Sequence, residues 1–369
     1  MRRKIIRSAL IAFGLLIAVL AAYVIYVFAD YHRFEDRLVL TPEGEASAGL
    51  ETDTVYRAVS YNVGFGAYSA DYSFFMDGGT ESRARSAQAV NDNITGAVTT
   101  AASYKPDLLM LQEVDINGTR SHHVNEYQLA SSLLSDFNYT HTFAQNYDSP
   151  YLFWPLLEPH GANQSGLAFF SRFPISEAVR RSLPIEESVM KLVDLDRCYS
   201  VQRIPTQNGK ELVVYHLHLS AYTSDGTIAE EQLKMLFEDM QAEYDKGNYI
   251  LGGGDFNKDL LGNSAERFGF EDAETYTWAQ PIPDSLIPSA FSIIGPYDES
   301  NPVPSCRNAD KPYGSDTFVV TVDGFIVSDN IEVKESKVID TQFAYSDHNP
   351  VLLDFALSDK SKPPVERVV

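Results

Sequence analysis

A chain of 369 residues that is 44% hydrophobic, with 21 Tyr and 21 Phe but 6 Met, is too long for a minimal domain and can build a sizeable core. Such a composition points to a globular protein rich in aromatic strands and excludes a disordered or repeat architecture. Its formal charge of -22 repels polyanions, because nucleic-acid affinity comes largely from cations meeting phosphates, and this argues against long nucleic acid as a partner.

The first segment stands apart. Arg2, Arg3, Lys4 and Arg7 precede an uncharged stretch, residues 8–29, which at about 1.5 Å per residue suffices to cross a hydrocarbon core of about 30 Å. Cations before it and Asp30 after it predict a cytoplasmic tail over 1–7, one transmembrane helix or signal anchor over 8–29, and a body outside the cytoplasm. Tyr23, Tyr26 and Tyr31 fall where the outer interface would be. The sequence "VFA" before Asp30 leaves a cleaved signal as the rival, although the apolar stretch exceeds the roughly 7 to 15 residues of a signal core.

Residues 30–52 lose periodicity and gain Pro, Gly and acids, the character of a linker. From 53 to 358 short apolar runs ending on polar residues predict strands: "TVYRAVSYN", "PDLLMLQEVD", "SGLAFFSRFPI", "ELVVYHLHLSA", "GNYILGGGDFN", "TVDGFIVSDNI" and "HNPVLLDFAL". Helical patterns lie between them over 83–105, 125–137 and 225–247, the last with Ile228, Leu233, Leu236 and Met240 along one side. One α/β domain over 53–358 results, with irregular insertions at 145–164 and 281–315 and a disordered tail at 359–369. "GGGDFN" is rich in glycine but lacks the lysine of a nucleotide-binding loop, and no GxGxxG follows the first strand. Cys198 and Cys306 are the two cysteines, and their spacing leaves a disulfide open.

The strand ends carry Asn62, Glu113, His218, Asp255 with Asn257, Asp323, and Asp347 with His348. Singly, each could serve a turn or a solvated edge. Gathered at one end of a sheet scaffold, they would form an acidic pocket of oxygen donors suited to Mg²⁺ or Mn²⁺.

In order and character, "SYNVG", "LQEVD", "HLHLSA", "GGDFN", "TVDGFIVS" and "YSDHNPV" resemble the motifs of the endonuclease/exonuclease/phosphatase superfamily, over residues 55–356. The resemblance implies a DNase I-like four-layer sandwich, in which two packed mixed sheets are flanked by helices, and a membrane-anchored, bacterial-type member. It also implies hydrolysis of a phosphodiester or phosphomonoester by an activated water with Mg²⁺ or Mn²⁺. Carried over residue by residue, Glu113 resembles the principal metal ligand, supported by Asn62 and Asp347. Asp255 and Asn257 resemble the pair that positions or deprotonates the water and binds a phosphate oxygen. His348, oriented by Asp323, would contact the phosphate or act as base, and His218 would add a hydrogen bond. The base is thus either Asp255 or His348.

The substrate expected from an anchor, an acidic body and the apolar Phe153-Trp154-Pro155 insertion is phospholipid-like or a small phosphodiester. An extracellular nuclease of the same fold and a catalytically silent surface-binding module are the alternatives. Among the cations, Arg172 reads as structural, while one or two of Arg180, Arg181, Arg197 and Arg203 could reach a phosphate in the cleft. His216 and His218, two apart on one strand, point to the same face; a zinc pair would want further ligands nearby, and "HLHLSA" supplies none. His216 stands where the resemblance has asparagine.

Overall fold

The computed structural model describes residues 2–46, 49–185, 196–220, 227–270 and 278–358. The tail expected at 359–369 lies outside the described residues. The chain begins with α1 (Arg2–Asp30), whose most apolar window has a mean hydropathy of 2.7 and lies almost wholly exposed, long and apolar enough to cross a membrane. It adds β1 (Leu38–Leu40), β2 (Val55–Asn62), α2 (Ala87–Ser103), β3 (Leu108–Gly118) and α3 (Glu126–Leu133). There follow β4 (Thr140–Asp148), β5 (Asn163–Ser171), β6 (Glu177–Ser182), β7 (Cys198–Pro205), β8 (Glu211–His218) and α4 (Thr227–Tyr244). The last part holds β9 (Tyr249–Asp255), α5 (Ser264–Arg267), β10 (Phe291–Ile294), β11 (Cys306–Arg307) and β12 (Val319–Val320). It closes with β13 (Asp323–Ser328), β14 (Ile331–Val338) and β15 (Val351–Leu357).

Among the described residues these strands make two large mixed sheets, in the orders β1-β6-β7-β8-β9-β13-β10 and β14-β15-β2-β3-β5-β4. Their inner faces meet through Met110, Phe169 and Leu353 on one side and Val214, Leu251 and Phe325 on the other. Helix α2 starts where Ser86 Oγ accepts the Ala89 N–H at 3.1 Å, and it lays Val90, Ile94, Ala97 and Val98 on one outer face. Helix α4 lays Leu233, Leu236, Phe237 and Met240 on the other. The result is the helix–sheet–sheet–helix sandwich of the DNase I-like fold, as the sequence predicts.

The glycines of "GGGDFN" have a packing reason. Strand β9 is covered on both sides, and a Cβ on Gly252 would come within 2.8 Å of Met240 Cε, one on Gly253 within 2.7 Å of Met110 Cε. Glycine here lets the helix and the opposite sheet close on the strand.

Two expectations change. The segment read as a linker is partly built into the body: β1 pairs with β6, Leu38 opposite Arg180, and ahead of it Arg33 Nε donates to Asp196 Oδ1 at 2.7 Å. The insertion at 281–315 contains β10, which pairs with β13, and β11, where Cys306 bridges to His348. Cys198 and Cys306 are free, buried thiols in separate clusters.

His216 lies wholly buried between the sheets. The Gln112 amide donates to its Nε2 at 2.6 Å, so the ring is neutral with its proton on Nδ1. Burial lowers its pKa from 6.5 to about 3. The unfolded chain therefore takes up a proton, as pH falls below 6.5, that the folded chain refuses. Stability from this group is complete above pH 6.5 and falls through the acid range by about 1.4 kcal/mol per pH unit until the folded group titrates near 3. We expect His216→Asn, which keeps an amide partner for Gln112, to flatten this loss. Urea unfolding at about pH 7.5 and about pH 5.5 measures it, and the same pH slope in both proteins would contradict the assignment.

Candidate active site

The strand register explains why distant residues converge. Strands β8 and β9 run parallel with His218 opposite Asp255, and β13 runs antiparallel to β9 with Asp323 opposite the same Asp255. In the other sheet β2 and β3 are parallel, with Asn62 opposite Gln112, and β15 runs antiparallel to β2. The ends of β2, β8 and β9 and the starts of β13 and β15 thus lie at one edge of the sandwich, where a single pocket is lined by Glu113, His218, Asp255, Asn257, Asp347 and His348.

Glu113 reaches that pocket through a bulge. The pairing of β3 with β5 slips between Leu111 and Val114, and Glu113 takes a positive φ of 55°. Gln112 turns inward to Ser60 and His216, and the bulge re-aims Glu113 from the outer face to the pocket. Positive φ in a residue other than glycine costs on the order of 1–3 kcal/mol and gathers at functional sites. Asn257, with φ of 49°, shows the same feature, which its side chain tolerates better.

Asn62 and Asp323 stand just behind the lining. Asn62 Nδ2 donates to Asp255 Oδ2 at 3.0 Å and to Glu113 Oε1 at 3.3 Å, while its oxygen accepts the Gly64 N–H at 3.0 Å. Gly64 has φ of 52°, and a Cβ there would lie 3.2 Å from Asp347 Oδ1. Asp323 Oδ2 accepts from His348 Nδ1 at 2.7 Å, which leaves His348 Nε2 facing Asp255 Oδ2 at 3.8 Å. His218 Nε2 is 3.5 Å from the same oxygen and 4.0 Å from Glu113. Asp255 Oδ1 accepts the Asn257 N–H at 2.8 Å, and Asn257 Nδ2 donates to the Leu219 carbonyl at 2.9 Å.

Burial sets the electrostatics. It raises Asp255 to about 6 against the pull of His348, and raises Asp347 to about 7 against His348 and Arg307. Burial opposes the charging of His348, yet Asp323, Cys306 and Asp255 together carry its pKa well above 6.5. His218 goes the other way, lowered well below 6.5 by burial and by the nearby Arg197 and His348. Carboxylates crowded in a buried pocket, with Glu113 and Asp347 repelling each other, form an environment that a divalent cation would balance. Asp255, Asp323 and His348 also place ligand atoms within 4.8 Å of one another, although the Asp323–His348 hydrogen bond already engages one pair of them.

The sequence did not single out several wall residues. Phe65, Tyr68, Phe74 and Trp278 give the pocket aromatic sides, and Cys306 Sγ lies 3.6 Å from His348 Nε2 as a thiol that burial pushes up to about 12. Of the four mid-chain arginines, Arg180 pairs with Asp196, Arg181 with Asp36 and Asp239, and Arg203 with Glu211 and Glu243. Arg197 is buried and lines the pocket. Arg172, half exposed beside Asp107, lies away from it. Arg120 also lines the pocket, held by Asp115 at 2.8 Å and stacked 4.0 Å over Phe65, so the final acid of "LQEVD" serves as its anchor.

Comparison with known proteins agrees with this geometry. A solved endonuclease/exonuclease/phosphatase from Beutenbergia cavernae superposes with a TM-score of 0.54 at 17% identity, covering 82% of this chain and 72% of that one. ANGEL2, described as a 2',3'-cyclic phosphatase in complex with adenosine-2',3'-vanadate, gives 0.55 at 15% identity over 86% and 99%. A family protein from Leptotrichia buccalis gives 0.53 at 16% identity over 82% and 100%. No curated protein sequence matches the chain. The model of the endonuclease/exonuclease/phosphatase family matches residues 59–348, a span that runs from β2 to His348 and takes in every pocket carboxylate and all three pocket histidines. The chain therefore belongs to the endonuclease/exonuclease/phosphatase family and is a phosphoric ester hydrolase.

Proposed function

We propose that the chain is a membrane-anchored, extracytoplasmic phosphoesterase that uses Mg²⁺ or Mn²⁺ to cleave a small or phospholipid-like phosphodiester, or a phosphomonoester. Its catalytic domain spans 53–358, joined by 30–52 to the anchor 8–29. The observation that carries the reading is the convergence of Glu113, Asp347, Asp255 and His348 in one pocket, with Asp323 holding His348 from behind. The anchor is supported by the exposed, apolar α1 and the cations before it. The acidic body argues against long nucleic acid, so the nuclease alternative is the weaker one.

Glu113 and Asp347 would hold the cation. Asn62, expected among the ligands, we read as the amide that spaces Glu113 from Asp255, because its oxygen is engaged by the Gly64 N–H. When bound, the cation would neutralise charge developing on the phosphoryl oxygens. Asp255 takes the proton of the attacking water: its oxygens are oriented by Asn62 and by the Asn257 N–H. His348, flanked by the carboxylates of Asp323 and Asp255, is suited to the imidazolium form and donates to a phosphate oxygen through Nε2. His218, neutral in its buried setting, adds a hydrogen bond from the other side of Asp255. Of the two candidate bases, this arrangement favours Asp255.

Three outcomes follow for the full-length protein in vesicles. Hydrolysis of bis-p-nitrophenyl phosphate should require Mg²⁺ or Mn²⁺, stop with a chelator, and fall by about 10² to 10³ or more in Glu113→Ala and in Asp255→Ala. Undiminished turnover in both variants would reject the assignment, and ligand binding without any turnover would favour the silent module. Asp323→Asn, which keeps the shape but weakens the hold on His348 Nδ1, should cost about 10- to 100-fold in kcat, with the larger share of the loss absent from KM. A pure KM effect would place Asp323 in substrate binding. Arg197→Ala should instead raise KM by about tenfold or more, with partial recovery in Arg197→Lys. Unchanged KM would remove Arg197 from phosphate recognition.

A further inference from the structure

The loop between β4 and β5 leans on the outer end of α1. The Tyr151 N–H donates to the Tyr26 hydroxyl at 2.9 Å, the Tyr23 hydroxyl donates to the Tyr151 carbonyl at 3.0 Å, and the rings of Tyr23 and Phe153 meet edge-on with centroids 4.6 Å apart. Past this contact Trp154, Leu156 and Leu157 remain 60%, 65% and 100% exposed, and no charged residue intervenes before Glu158. Contiguous exposed apolar side chains mark a surface that something covers.

The length of the helix says what covers it. Counted from Arg7 at about 1.5 Å per residue, Tyr23 lies about 24 Å and Tyr26 about 28 Å along the axis, both within a hydrocarbon core of about 30 Å. Helical side chains lean toward the N-terminus, which for α1 is toward the bilayer interior, so these hydroxyls stand no farther out than their own Cα atoms. A backbone bonded to both of them lies at the outer interface. The body is also tied down close to the helix end, through Arg33 and Phe34 to Asp196 and through the pairing of β1 with β6. Swinging the loop away from the membrane would break those bonds.

We infer that residues 151–157 are a second membrane contact, with Trp154, Leu156 and Leu157 seated in the outer leaflet of the bilayer that α1 crosses. The inference rests on the reading of α1 as an uncleaved anchor. Both feet of the loop are in the pocket wall: Tyr147 near the end of β4, and His160, whose N–H donates to the Trp154 carbonyl at 3.1 Å. The membrane contact is thus one hydrogen bond from the catalytic cleft, which favours a phosphate ester presented at the bilayer surface.

The chain's two tryptophans, Trp154 and Trp278, allow a direct test. Full-length Trp278→Phe, which reports Trp154 alone, and Trp154→Phe, which reports Trp278 alone, are placed in phosphatidylcholine vesicles with or without bromine on the upper acyl carbons. Trp154 emission should fall by about twofold or more in brominated vesicles while Trp278 emission holds, because an interfacial indole sits within reach of those carbons. An unquenched Trp154 in protein that still resists alkaline extraction from the vesicles would overturn the inference and leave the anchor standing. Protein released by alkaline extraction would overturn both. Trp154 shielded from lipid bromine and from aqueous iodide alike, in a dimeric protein, would assign the patch to a second copy of the chain and overturn the membrane contact. Leu157→Asp should reduce the quenching of Trp154 without releasing the protein.

Discussion

Asp255 is a carboxylate only 1% exposed, placed where two sheets meet, and the rest of the site is built around keeping it there. Removing a charge from water costs several kcal/mol unless hydrogen bonds and opposite charges replace the lost solvent. Asn62 reaches it from the opposite sheet, the Asn257 N–H caps its other oxygen, and two imidazoles face it from β8 and from the start of β15. Apart from the Asn257 N–H, which follows Asp255 itself, the partners come from other strand ends, and Asn62 comes from the other sheet, so the site exists only when both sheets are packed. Compensation is incomplete, as the upward shift of Asp255 to about 6 indicates, and that leaves a group poised to accept a proton.

The same economy of placement runs through β3. A regular strand would send Gln112 and Glu113 to opposite faces, one into the core and one into the outer helix layer. The bulge at this point instead lets both serve the end of the sandwich, Gln112 between the sheets and Glu113 in the pocket. Gly64 extends the pattern on the neighbouring strand end, where the absence of a side chain keeps room beside Asp347. Strain at Glu113, tolerated by a large core, is the local cost of aiming this carboxylate into the pocket.

Much of this was legible because polar residues ending apolar runs are a one-dimensional signal. Asn62, His218 and Asp255 each close a strand and His348 stands just before one, whereas Glu113, expected at a strand end, lies at the bulge within β3; their order along the chain resembles the family pattern. What escaped depends on register and packing. The alternation in "HLHLSA" predicted correctly that His216 and His218 share a face, but not that the face divides along its length, His216 lying between the sheets and His218 at their edge. Strand β1 was hidden because three residues with charged neighbours carry too little pattern, and it is the pairing partner β6, not its own sequence, that makes it a strand. The choice among four arginines was equally closed to sequence, since it turns on packing: of the four, Arg197 lines the pocket, while Arg180, Arg181 and Arg203 lie outside its wall and pair with Asp196, Asp239 and Glu243.

That allocation also reconciles an acidic protein with an anionic substrate. A net charge of -22 spread over the surface is screened within about 8–10 Å at physiological salt, whereas a guanidinium buried in the pocket acts at contact and in a lower dielectric. Arg307 is spent on the carbonyls of Tyr68, Ser69 and Tyr72, and Arg120 on Asp115, so both shape the wall more than they attract. Attraction is therefore local and short-ranged, which suits a single phosphate entering between aromatic sides and disfavours a polyanion that would have to lie along the acidic exterior. A substrate delivered by a surface already held beside the pocket has no need of long-range steering. If α1 is the proposed anchor, the docking of the β4–β5 loop on it would make the bilayer that surface.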